Sequence, residues 1–365
     1  MQDNKWDDVF GLNPVKLTFD TFIKNNRIPQ AVILLGKKGI GKDLIAAKFI
    51  QKLNKVSLPE DQLFGSAFLK YIYALPRGQN ENSDDDPFEK LKNTELETIK
   101  GEIKKKCDNP YYQLNIPRAN DIKINSIRDI SSYLSYSFTE YKYRMILISD
   151  AEKMNDSAQN ALLKSLEEPP PGVIFMLTTH DLSGLFPTIV SRCWLIKCPP
   201  LQKEEIQNAL VSYYEHDSTQ AELTAEFGDG SVSTAAEFVM LNIPELKGQV
   251  VDFLKYILGN KIHSAFKMIS SYTKEQDSSG VLLILNLIKI WFLDILRYKG
   301  GETDRLFFNE FIENIHNFNL KFYDEEKLTG IIGQIDKNAY LYRERNVNIN
   351  IIWFNIITEI NSFRK

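Results

Sequence analysis

Residues 145–193 read MILISDAEKMNDSAQNALLKSLEEPPPGVIFMLTTHDLSGLFPTIVSRC, and this stretch decides the fold. MILIS (145–149) and VIFMLT (173–178) are apolar, rich in β-branched residues and closed by polar ones, the pattern of buried strands. Between them Ala158, Ala161, Leu162 and Leu166 recur at helical spacing, and Pro169-Pro170-Pro171 ends that helix. Strand, polar tip, helix, strand is one turn of a parallel α/β sheet, whose ligand edge lies at the carboxyl ends of its strands. Asp150, Glu152, Thr179 and His180 fall at that edge, and Ser191-Arg192-Cys193 follows a short second helix.

Toward the N-terminus, residues 5–30 carry a helical pattern, and AVILL (31–35) then reads as a third buried strand. It runs into GKKGIGKD (36–43) and a helix pattern, LIAAKFIQKL (44–53). Gly36, Gly39, Gly41 and Lys42 have the Walker A spacing in the strand–loop–helix context that a phosphate loop requires. Glycines let backbone N–H groups close around phosphate oxygens, the helix N-terminus favours an anion, and Lys42 would reach the β/γ-phosphates.

The eighth position, where Ser or Thr ligates magnesium, is Asp43. A like charge at about 5 Å and an effective dielectric of about 20 costs roughly 3 kcal/mol per unit of phosphate charge. Micromolar binding is worth about 8 kcal/mol in total. The expectation is a weakened nucleotide site, a loop that folds without ATP or magnesium, and no required cofactor. Asp150 fits the Walker B position. The next residue is Ala151 rather than the Glu that orients an attacking water, and Glu152 lies one place further, turned to the other side of the tip. Glu152 is expected as a surface or helix-capping carboxylate.

Residues 54–110 break the rhythm. Gln79–Pro87 is polar and acidic and Glu95–Cys107 is charged, so 76–108 reads as a solvated insertion or surface hairpin. Tyr111–Ile116 reads as a strand and Asp121–Tyr136 as a helix with Ile122, Ile127, Ile130 and Leu134 inward. Pro199-Pro200 marks a boundary, after which short helices cover 203–214 and 220–227, with a turn at 228–231. From Ile243 only helices are visible, over 247–258, 262–272, 280–298, 303–318, 324–341 and 347–363.

The 365 residues suffice for two or three domains, and 43% apolar with 25% charged residues is ordinary for a soluble protein. A net charge of −4 gives no global drive toward nucleic acid. Val281–Tyr298 has the length of a membrane span, but Asn286, Lys289, Asp294 and Arg297 fall on one side, the mark of a core helix with a solvated stripe. Three cysteines cannot form a four-thiolate zinc site and the four histidines are scattered, so no metal is expected. MQDNKWDDVF lacks the basic and apolar pattern of a signal peptide, and the cytoplasm is the default location.

DAEKMNDSAQNALLKSLEEPP (150–170) with LFPTIVSRC (185–193) resembles the clamp-loader branch of the AAA+ ATPases. Asn26-Arg27-Ile28-Pro29-Gln30 and Asn346-Val347-Asn348 fit the same branch. The resemblance covers residues 1–200, and the helical remainder more loosely. It implies an AAA+ P-loop parallel-sheet domain (1–199), a small helical lid domain (200–243) and a C-terminal helical collar domain (244–365). It also implies a ring-like pentamer that opens a sliding clamp and places it on primed DNA as part of a DNA polymerase holoenzyme. The partners would be gamma/tau-like motor subunits and a delta-like subunit.

In that branch a stationary member does not hydrolyse ATP and lends the arginine of its SRC motif to a neighbour's nucleotide; carried over, that arginine is Arg192. Relatives often hold a four-cysteine zinc module where this chain has only Cys107. His180 stands where active relatives often have a γ-phosphate-sensing Asn, and Ser233 where motors offer a sensing Arg. Two other readings stay open at this point: a self-sufficient ATPase motor using Asp43 and Glu152, and a nucleic-acid-binding module acting alone.

Overall fold

A computed structural model describes residues 6–135, 140–238, 243–274, 278–320, 324–345 and 347–362. The chain divides into two compact units, Met1–Ala236 and Glu237–Lys365.

In the first unit the order is α1 (Asn13–Lys24), β1 (Ala31–Leu35), α2 (Lys42–Asn54), β2 (Leu69–Ile72), α3 (Asn93–Asp108) and α4 (Ile124–Ser135). There follow β3 (Arg144–Ile148), α5 (Asp156–Glu167), β4 (Val173–Thr179), α6 (Pro187–Val190), β5 (Trp194–Lys197), α7 (Lys203–Tyr214), α8 (Ser218–Ala225) and α9 (Val232–Glu237). The five strands form one parallel sheet in the order β2-β3-β4-β1-β5. The strand period of two sorts its side chains. Val32, Leu34, Met145, Leu147, Ile174 and Met176 pack with α1 and α2, while Ile33, Ile146, Ile148, Phe175 and Leu177 pack with α4, α5 and α6. β4 is buried along its whole length, as a central parallel strand must be.

Register places the functional loops together. Leu35 pairs with Thr179 and Ile148 with Leu177, so the chain leaves β1, β3 and β4 at one edge, between neighbouring strands. The loop 36–41, the tip 149–152 and Thr178–His180 therefore share one crevice.

Several local expectations differ from the structure. Tyr111–Ile116 forms no strand; Lys106 Nζ donates to the carbonyls of Pro110 (2.7 Å) and Tyr112 (2.9 Å), which takes them away from any ladder. Sequence reading missed both edge strands: β2, only partly buried and carrying Lys70, which pairs with Asp129, and β5, of which only Ile196 is buried.

The supposedly solvated segment 76–108 is folded: Leu75, Leu91 and Ile99 make a small core with Phe88, Leu96 and Ile103, and buried Glu81 accepts from Lys123 and Asn125. Its charges gave it a solvated look, yet Ile99, Glu102 and Lys106 are all buried along α3.

Helices of 200–236 also pack on the sheet. Leu201, Ile206, Ala209, Leu210, Ala221, Val232 and Ala235 join the cluster that covers one face of the sheet. The two compact units divide after Ala236, between the boundaries expected at 199/200 and 243/244.

The second unit is helical: α10 (Ile243–Leu258), α11 (Ile262–Thr273), α12 (Ser278–Lys299), α13 (Ile312–Asn319), α14 (Glu325–Arg345) and α15 (Ile349–Ser362). Phe253, Ile257, Ile284, Leu287, Ile288, Ile352 and Ile356 are core, as are Trp291 and Trp353, and Phe307 and Phe311 are half-buried. Asn346 lies outside the described residues. Among the described residues no helix is long and apolar enough to cross a membrane.

The stripe expected to be solvated on α12 is not wholly so. Asp294 is fully buried, accepting the Phe308 amide at 2.8 Å and Arg297 at 3.0 Å. That bond anchors the segment expected as one helix over 303–318, where α13 starts only at Ile312. Asp294→Ala orphans a buried amide and should lower stability by about 1–3 kcal/mol, read as a lower urea midpoint. An unchanged midpoint would remove Asp294 as that anchor.

Candidate functional site

The turn after β1 needs its glycines. Gly39 and Gly41 have φ of +71° and +88°, and a Cβ on Gly39 would lie 1.7 Å from Ser233 Oγ. A Cβ on Gly41 would lie 2.8 Å from the ring of Tyr111. The cradle is thus lined closely by side chains of the chain itself, from α9 and from the segment after α3. The Val232 amide also donates to Gly39 O at 3.1 Å, and Lys37 Nζ pairs with Asp229 at 2.7 Å.

Lys42 opens α2 and turns back into the loop, its Nζ donating to Gly36 O (2.8 Å) and Lys37 O (2.6 Å). Burial pushes its amine down, against the pull of Asp43 and Asp150. Asp43 is buried and its carboxylate is engaged on both oxygens. Oδ1 accepts from Thr178 (2.8 Å), and Oδ2 from Ser149 (2.8 Å) and Tyr71 (3.0 Å), with Lys106 Nζ at 3.4 Å from Oδ2. Burial alone would raise this carboxyl. Lys106, the Ser149 and Thr178 hydroxyls and Lys42 outweigh it and hold Asp43 below the ordinary carboxylate range.

The cavity left between the loop, Asp43, Lys106 and Asp150 is about 20 Å³. That is room for about one water beside the loop. The donor set does not suit magnesium and a triphosphate. Asp43 has spent its lone pairs on protein donors, and a lysine stands beside it. A larger polar cavity of about 360 Å³ adjoins it on the side of Tyr112–Asn120.

Asp150, at φ +49°, pairs with Lys153 at 3.0 Å. Glu152 is neither a surface nor a helix-capping group. Its side chain is largely buried, with Oε2 accepting from Thr179 Oγ1 at 2.6 Å and Oε1 at 2.6 Å from His180 Nδ1. Burial would raise this carboxyl too, and the contacts with His180 and Thr179 hold it low. Thr179 occupies Oε2 and the His180 ring lies against Oε1, so the carboxylate is turned to its own strand end.

Arg192 stands apart from this crevice. It follows α6 at the surface, with Nη1 donating to Thr188 O (3.0 Å) and Nη2 to Glu167 Oε1 (2.8 Å) at the end of α5. Both partners of that ion pair are solvent-accessible. Ser191 is exposed and Cys193 half-buried. Burial pushes the Cys193 thiol up to about 12.

Gly36, Gly39, Gly41, Lys42, Asp43 and Asp150 are therefore together, as their motifs imply, while Arg192 faces outward. Sequence reading missed Lys106, Tyr71, Ser149 and Thr178. The signal for Lys106 was present: Ile99, Glu102 and Lys106 recur at i, i+3, i+7 inside a segment whose charge suggested no buried face.

Residues 12–202 match the model of the family described as DNA polymerase III, delta subunit. The chain is 30% identical over 179 residues to DNA polymerase III subunit delta' of Pseudomonas aeruginosa, covering 49% of this chain and 53% of that protein. It is 24% identical over 352 residues to subunit delta' of Bacillus subtilis, covering 94% of each. It is 29% identical over 183 residues to subunit gamma of Buchnera aphidicola, covering 48% of this chain and 50% of that protein. The match thus spans about half the length of the Pseudomonas and Buchnera relatives. A solved structure of a DNA polymerase III gamma subunit-related protein from Thermotoga maritima aligns over 94% of this chain and 99% of that one, at 14% identity and a TM-score of 0.44.

Proposed function

The chain belongs to the family described as DNA polymerase III, delta subunit, and from that premise we propose that it is the stationary clamp-loader subunit that lends Arg192 to a nucleotide held by a neighbouring gamma/tau-like motor. It is a delta-prime-like protein, and its fold is the AAA+ α/β domain followed by helices.

The observation that carries the reading is a contrast between two cations. Lys42, which a motor would aim at phosphate, is bonded to the carbonyls of its own loop, while Arg192 is exposed at the end of α6. A guanidinium presents a planar fork of donors suited to phosphate oxygens. Supplied in trans, it completes a neighbour's site only once the ring has assembled, and there it stabilises charge that develops during phosphoryl transfer. Its present partner, Glu167, is exposed, and such a pair is worth about 0–1 kcal/mol, so handing the arginine over costs little.

In this reading the ring also contains a delta-like subunit and acts in the cytoplasm on a sliding clamp and primed DNA. On the helical unit, Ile351 and Phe354 are 54% and 62% exposed on one face of α15, an apolar patch suited to packing against an equivalent helix of a partner.

ATP turnover by the purified chain, with and without Lys42→Ala, tests the first half of the reading. No Lys42-dependent turnover is expected. Turnover at motor-like rates that Lys42→Ala abolishes would make this chain a hydrolase and end the proposal.

A further inference from the structure

Lys106 comes from α3, in a segment that no phosphate-loop motif includes, yet it reaches the position beside Asp43 where a motor would hold its metal. It is 3% exposed. An ammonium has three protons, and three acceptors surround this one: Pro110 O at 2.7 Å, Tyr112 O at 2.9 Å and Asp43 Oδ2 at 3.4 Å. Asp43 occupies the residue position whose hydroxyl would otherwise ligate magnesium, and Lys106 lines the same small cavity as Gly41, Lys42 and Asp150.

We propose that Lys106 is a tethered cation standing in the metal's place. The Asp43–Lys106 salt then fills the ground that a magnesium–phosphate salt holds in a motor, and the loop works as a permanent joint.

Charge supports this. Asp43 supplies the anion and Lys106 the cation, and both line the small cavity of about 20 Å³ against the loop as well as the polar cavity of about 360 Å³ that adjoins it. A buried pair is a poor source of net stability, because desolvation offsets most of the Coulombic gain. Its effect is exclusion: a dication beside Lys106 meets a like charge, and a phosphate beside Asp43 meets the same.

The connections of the loop show what the joint holds. Ser231 and Ser233 crowd Gly39, Val232 donates to Gly39 O, and Lys37 pairs with Asp229. These tie α9 to the loop directly, where a bound nucleotide would otherwise bridge them. The salt tethers α3 to the same loop from the other side. Segment 76–108 thereby has a purpose: it delivers the cation.

This inference concerns the chain's own loop and stands independently of Arg192. The full chain is titrated with magnesium and the fluorescent analogue mant-ATP, unaltered and as Lys106→Met and Asp43→Thr/Lys106→Met. The unaltered chain should show no saturable binding below millimolar concentration. The double variant, which restores the hydroxyl and removes the tethered cation, should bind at least tenfold tighter and only with magnesium. Lys106→Met alone should lower the thermal midpoint, because it strands the Asp43 carboxylate.

Micromolar magnesium-dependent binding by the unaltered chain would overturn the proposal without any substitution. A folded double variant that takes up no nucleotide would overturn it too, since something other than the salt would then close the loop. If the double variant does not fold, the unaltered titration and the Lys106→Met midpoint decide. An unchanged midpoint counts against the joint.

Discussion

Arg192→Ala should leave this chain folded and able to assemble, while the neighbouring motor site loses about 10³-fold or more in single-turnover ATP hydrolysis. Arginines supplied in trans are worth about 10³–10⁵ in comparable phosphoryl-transfer systems, and a factor of 10³ is about 4 kcal/mol of barrier. Folding should survive because the side chain is exposed and its ion pair with Glu167 is weak. Steady-state turnover of the whole ring would dilute the effect among several motor sites, so turnover at the single site facing Arg192 is the measurement to make. Arg192→Lys separates charge from geometry. It keeps the charge but loses the two-pronged fork, and should recover only a small part of the rate. Full activity at that site in the Arg192→Ala variant would show that the arginine acts elsewhere.

The second large effect is on stability. Asp43→Ala removes the carboxylate that Lys106, Ser149, Thr178 and Tyr71 all face, leaving a buried ammonium uncompensated. Breaking a buried pair in this way costs about 3–5 kcal/mol, and the first unit's urea midpoint should fall accordingly at neutral pH. The pH dependence has a definite sign. The folded-state pKa of Asp43 is depressed, so its contribution is fully present above the unfolded carboxylate pKa and is lost as pH falls through the folded value. The gap between the unaltered chain and Asp43→Ala should therefore be widest near neutrality and close on acidification. Equal midpoints at neutral pH, or a gap that widens in acid, would mean that the Asp43 cluster does not hold the loop.

Arg192 and Asp43 are opposite cases of one chemistry. Asp43 and Lys106 neutralise each other inside the fold, where water cannot compete and the low dielectric makes the pairing strong. Arg192 and Glu167 meet in solvent, where pairing is weak and exchange with another anion is easy. Both cations therefore suit the division of labour proposed for this subunit: its own loop stays shut, and its surface cation is offered outward.

Much of this was legible in the sequence because local patterns carry it. The continuous apolar runs MILIS, VIFMLT and AVILL set the strands, the period-3.6 patterns set the helices between them, and the glycine spacing set the loop. The same reading placed Asp43 in the metal's position and Arg192 at a helix end, since both statements depend only on neighbours in the chain. What Asp43 pairs with depends on contacts between distant segments. Only the tertiary structure brought Lys106 from α3, Tyr71 from the edge strand, Ser149 from the end of β3 and Thr178 from β4 onto one carboxylate. It alone showed that the charged stretch before Cys107 has a buried face and that Asp294 is a core acceptor. The physical reason is the same for both: a charge in a sequence looks solvated until its counter-charge or donor is found, and that partner is chosen by how the elements pack, not by composition.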